Sequence, residues 1–119
     1  MVNPVRFQDE RGARILSFRH DVGAQADLDQ VRSWFALHFR QEIAADQRVV
    51  IDLAGVATLD SACLGPLVLK FKEMQQARGR MALTGVDSQA LREVFALTRF
   101  DKVFPIYKTR EEAIAAVTA

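Results

Sequence analysis

Val49-Val50-Ile51-Asp52-Leu53 is the stretch whose reading decides the fold. It is too short for a stable helix, it opens on β-branched residues, and it is apolar enough to lie buried on both faces. Those are the marks of a central strand in a sheet covered by helices. On its C-terminal side, Leu64, Leu67, Val68, Phe71 and Met74 recur at helical spacing, and Gly79 stands where a helix end favours glycine. Met81 to Val86 reads as a further strand, followed by Asp87-Ser88 as a cap and a helix with the inner face Leu91, Val94, Phe95 and Thr98. Val103 to Tyr107 reads as a last strand, confined to a sheet edge because Pro105 has no amide to donate. Thr109-Arg110-Glu111-Glu112 forms a capping box for a final helix through Val117, with the three charged residues read as a solvated cap.

On the N-terminal side, Asp27 is a natural N-cap, with Gln30 three residues on, for a helix reaching about Ile43 whose stripe is Leu28, Val31, Phe35 and Phe39. Arg6-Phe7-Gln8 and Ala13 to Phe18 read as a hairpin across the polar turn Asp9-Glu10-Arg11-Gly12. The order ββαβαβαβα requires crossover connections and therefore parallel neighbours. The expected fold is α/β, with a mixed, largely parallel sheet, an N-terminal hairpin and helices packed on it.

The 119 residues fit one domain, 1–119, and with half of them hydrophobic and about a quarter charged they have the composition of an ordinary globular chain. The net charge is only +1 and the cations are dispersed, which argues against nucleic acid as a partner. A single cysteine, Cys63, excludes an internal disulfide and a cysteine metal cluster, and suits a reducing compartment. Met1 to Phe18 lacks an apolar signal core, and no stretch approaches the length of a membrane span, so a cytoplasmic location without membrane insertion is expected. With no phosphate-binding glycine loop, no metal cluster and no triad, the expectation is a non-enzyme with no catalytic residue, cofactor or metal.

The informative segment is Thr58-Leu59-Asp60-Ser61-Ala62-Cys63-Leu64-Gly65, at the carboxyl end of the central strand, where open α/β sheets commonly bind ligands or partners. Asp60 or Ser61 can serve simply as the helix cap. The same position also exposes the Ser61 hydroxyl beside unpaired helix amides that would favour a phosphate, while Asp60 would repel one.

Val49 to Val56, Leu59-Asp60-Ser61, Leu64-Gly65 and Arg99-Phe100-Asp101-Lys102-Val103-Phe104 together resemble the STAS domains of anti-sigma factor antagonists, most clearly over residues 47–117. The family pattern usually reads Asp-Ser-Ser-Gly-Leu-Gly, and Ser61 occupies the position of its phosphorylated serine. The resemblance implies partner switching. The unphosphorylated form would bind a serine kinase that is also the anti-sigma factor, phosphorylation would end the binding, and a serine phosphatase would restore it. It implies a partner face built from Asp60, Ser61, Ala62, Leu64, Gly65 and Leu69, with Asp21 a remnant of an acidic motif now replaced by Arg19-His20-Asp21-Val22-Gly23. Ala62 and Cys63 stand where the family has a second Ser and a Gly, and Pro66 predicts a later start of the helix. The alternative is a non-catalytic STAS subunit that binds the ATPase of a lipid-transport assembly.

Cys63 or Ser61 as a nucleophile needs His20 or His38 beside it, and a cysteine there is more often a small buried hydrophobe. His38 sits at the apolar border of its helix, and His20 in a loop. Trp34 and Leu37 point away from the stripe of their helix, where either a neighbouring segment covers them or a partner or weak homodimer does.

Overall fold

The computed structural model describes residues 3–21 and 23–119. Val22, within the stretch that replaces the acidic motif, lies outside the described residues, as do Met1 and Val2 at the start of the N-terminal stretch. The chain forms β1 (Val5–Glu10), β2 (Ala13–Phe18), α1 (Leu28–Leu37), α2 (Phe39–Glu42), β3 (Arg48–Asp52), α3 (Ser61–Gln76), β4 (Arg80–Thr84), α4 (Gln89–Leu97), a 3₁₀ turn (Phe100–Lys102) and α5 (Arg110–Thr118). The sheet order is β1-β2-β3-β4, with β1 antiparallel to β2 and the other pairs parallel. This is the expected mixed sheet with its opening hairpin. The hairpin turn is tighter than the sequence suggested: only Arg11 and Gly12 lie outside the strands, both at positive φ (54° and 87°), as a two-residue hairpin turn matched to strand twist requires.

Alternation along β3 explains how both faces are filled. Val49 and Ile51, with Leu53 beyond them, enter the larger core beneath α1 and α3, which also takes Leu16, Phe18, Phe35, Phe39 and Leu67. Val50 points the other way, against Ala13, Ile15 and Ala82 and the α5 residues Ala113, Ile114 and Val117. Asp52 also faces the α5 side and is buried. One of its oxygens takes two hydrogen bonds from the Arg110 guanidinium (2.7 and 3.2 Å), and the other accepts from the Ala54 amide (3.0 Å). Arg110 is thus no mere solvated cap residue: it ties the start of α5 to the end of the central strand. A buried carboxylate is tolerable only with such partners.

Three caps fall where the sequence put them: Asp27 accepts from Gln30, Ser88 from Leu91 and Thr109 from Glu112. Several expectations are corrected. The helix read from Asp27 to Ile43 is two helices, because the backbone leaves helical values at His38 (φ −125°); beyond that break Phe39 and Ile43 are fully buried. The strand expected at Val103 to Tyr107 is reduced to a single parallel bridge between Ile106 and Leu83 on the outer side of β4, with Pro105 unable to extend the ladder through an amide of its own. Thr98 is exposed and closes α4 by donating its hydroxyl to the Val94 carbonyl (2.7 Å). Trp34 is buried, stacked among Phe7, Phe18, Phe35 and Phe39, so the N-terminal hairpin covers it; Leu37 stays exposed.

Candidate functional site

The Leu53–Asp60 connection leaves β3 through a turn closed by the Val56 amide on the Leu53 carbonyl (2.9 Å), with Gly55 at φ 83°. A side chain at Gly55 would strike the His20 ring, so this glycine lets the loop after β2 pack on the loop after β3. Val56 and Leu59 are buried anchors. Ser88, at the start of α4, donates to the Ala57 carbonyl (2.5 Å) and accepts from its own helix. The loop therefore delivers Asp60 and Ser61 to a fixed place.

Asp60, not Ser61, is the N-cap of α3, which starts at Ser61 and not later. The helix carries Pro66 without breaking. The Asp60 carboxylate accepts from the Ala62 amide (3.0 Å), and the Asp60 carbonyl accepts from Cys63 (3.0 Å) and Leu64 (2.9 Å). The first-turn donors read from the sequence as available to a phosphate are thus taken, leaving at most the amide of Ser61 itself. The other carboxylate oxygen of Asp60 meets Arg32 Nε of α1 at 2.5 Å, and Arg32 also pairs with Asp29 (3.1 Å). Burial pushes the Asp60 carboxyl up, but the hydrogen bond and charge of Arg32, helped by the Ala62 amide and the Cys63 thiol, outweigh it and leave the group below its ordinary value. The hydrogen bond that Arg32 donates to Asp60, and the Asp60 charge, raise Arg32 in turn.

Of the residues assigned to a partner face, Ser61, Gly65 and Leu69 are exposed, spaced four apart on one side of α3, and Ala62 is half-buried. Leu64 is corrected: at 7% exposure it belongs to the core, because the helix turns it inward with Cys63 and Leu67. Asp21 is exposed on the loop after β2 and lines a different hollow, of about 660 Å³, with Arg6, Arg19, His20 and Arg110. That hollow lies at the same end of the sheet but does not include Ser61. Gly65 stands out because a Cβ added there would meet nothing within 4 Å. The fold does not need a glycine at this helical position, where it costs stability relative to alanine.

Cys63 is fully buried, and burial pushes its thiol up to about 11, well away from a reactive thiolate. His20 Nδ1 is bonded to the Phe18 carbonyl (2.9 Å), and among the described residues neither histidine is hydrogen-bonded to Cys63 or Ser61. The nucleophile reading loses its support. Arg32 is the residue that sequence reasoning missed. The Asp29–Arg32 spacing on α1 is legible as a helical pair, but the contact to Asp60 joins positions 28 residues apart.

Residues 8–113 match the STAS domain family. The Bordetella bronchiseptica protein BtrV, whose name places it provisionally among anti-sigma factor antagonists, is 34% identical over 91 residues, or 72% of this chain and 78% of BtrV. A STAS domain protein from Planctomyces limnophilus, described as an anti-sigma factor antagonist, is 29% identical with a TM-score of 0.71, covering 97% of this chain and 98% of that one. An anti-sigma factor antagonist from Mycobacterium paratuberculosis is 26% identical with a TM-score of 0.62, over 97% and 93% of the two chains.

Proposed function

The chain belongs to the STAS domain family, and on that premise we propose that it is an anti-sigma factor antagonist working by partner switching, with Ser61 as the phosphorylated residue. The observation that carries this reading is the exposed stripe Ser61, Gly65, Leu69, in which the glycine serves no need of the fold. A bare helical position one turn from an exposed serine lets the backbone of a partner approach closely, and Leu69, 49% exposed, offers it an apolar contact.

In the unphosphorylated state Arg32 offsets one of the two carboxylates it pairs with, Asp29 and Asp60, so this end of α3 presents a net charge of only about −1 to a kinase that is also the anti-sigma factor. The partner would transfer the terminal phosphoryl group of its ATP to Ser61 Oγ. The bond to ADP breaks, the new O–P bond forms, and the hydroxyl proton passes to a base on the kinase. The added charge of about −1.5 to −2 beside Asp60 then opposes rebinding. A serine phosphatase then restores the Ser61 hydroxyl by hydrolysis: water attacks phosphorus, the Oγ–P bond breaks, Oγ regains a proton and inorganic phosphate leaves.

The test is intact-mass analysis of the protein recovered from its native cells, wild type beside Ser61→Ala, with identification of co-purifying proteins. The reading predicts phosphate on the wild type only, and a kinase-like partner retained by Ser61→Ala. Neither protein phosphorylated, with both bringing down a transporter ATPase, would replace it with the subunit reading.

A further inference from the structure

We propose that Arg32 is the counter-ion of a phosphate on Ser61, and that it takes up this role by leaving Asp60. The inference rests on the reading that Ser61 is phosphorylated, and it adds what the molecule does with the charge.

The amides of Ala62, Cys63 and Leu64, the donors a helix start would ordinarily offer an anion, are bound by Asp60. A phosphate on Ser61 must therefore find its neutralising partner elsewhere, and it sits one residue from a carboxylate that repels it. Arg32 is the cation already at this spot. Its Nε is on Asp60, one Nη is on Asp29, and among the described residues its other Nη contacts no acceptor. The side chain is 42% exposed, and the guanidinium fork fits phosphate oxygens two at a time. Arg40 and Lys70, the other cations paired across this face, are engaged further along α3 with Glu73.

The exchange spreads the added charge over two side chains without changing its total. Before modification, Asp29, Arg32 and Asp60 form one chain linking α1 to the start of α3. Afterwards the chain runs from Asp29 through Arg32 to the phosphate, and Asp60 keeps its Ala62 amide but loses its cation. The partner would then meet Asp60 without its cation, beside a phosphate that one guanidinium only partly offsets.

The test uses the full chain with phosphoserine installed at position 61 by genetic encoding, so no kinase is needed. The second ionisation of the phosphate is followed by ³¹P NMR against pH in wild type, Arg32→Gln and Arg32→Lys. The wild type should titrate about half a unit or more below Arg32→Gln, with Arg32→Lys between them, and about 0.5 M salt should shrink the gap. Equal values in folded wild type and Arg32→Gln overturn the assignment. A double-mutant cycle of Arg32→Gln with Asp60→Asn should show coupling in the unphosphorylated chain that is lost in the phosphorylated one. Unchanged coupling overturns the exchange. Protein from native cells that never carries phosphate would instead contradict the switch, leaving these measurements interpretable on their own.

Discussion

Gly65 and Gly79, one inside α3 and one just beyond it, are glycines for opposite reasons. At Gly79 an added Cβ would lie 2.0 Å from the Ala45 carbonyl oxygen, so the chain needs a bare backbone there to pack against the segment before β3. The left-handed residue that closes the helix is Arg78 (φ 64°), after which the Gly79 amide reaches back to the Met74 carbonyl (2.9 Å). At Gly65 the added Cβ would touch nothing. One end of the α3 segment carries a glycine that the fold requires, while the other carries one that it does not. On the proposed function, the Gly65 end is the one offered to the partner.

Substitutions can break or sharpen that contrast. The largest effect should come from Leu64→Ala, beside Gly65 but facing the core: thermal or denaturant unfolding should show a loss of about 2–5 kcal/mol. A loss of partner binding at unchanged stability would contradict its burial. Gly79→Ala should follow with about 1–3 kcal/mol, the cost of moving backbone to relieve the overlap. Asp60→Ala removes the cap and should cost about 1 kcal/mol. Gly65→Ala should have the opposite sign, a gain of about 0.5–1 kcal/mol together with weaker capture of the partner, and it is the substitution that separates the two ends most cleanly.

The smallest effect concerns pH. Because the folded Asp60 carboxyl is held below its ordinary value, its contribution is fully present above the unfolded value and is lost as pH falls through the depressed folded one. The acid limb of a stability-against-pH curve should therefore be shallower in Asp60→Asn than in wild type, and the two curves should run parallel near neutrality.

How much of this was legible in the sequence follows from the range of the interactions. The β3 run and the caps at Asp27, Ser88 and Thr109 depend on neighbours a few residues away, and they could be placed from local pattern alone. The family motif placed Ser61 and Gly65 at the start of α3. Arg32–Asp60 and Arg110–Asp52 could not be read this way, because charged residues on helix surfaces have many candidate partners and only the tertiary arrangement selects one. Trp34 is covered as one of its two readings has it: the helical stripe marks the face toward the sheet, and β1 supplies Phe7 as a second wall. Leu64 was read as part of the partner face because it lies within the family motif, although the period of α3 sends it inward one step before Gly65 emerges.

The most direct test of the central claim is the affinity of the co-purified partner for the unmodified chain and for the chain carrying phosphoserine at position 61, measured side by side by calorimetry. Partner switching requires binding by the unmodified chain and an affinity at least roughly tenfold weaker for the phosphorylated one. Equal affinities would contradict it.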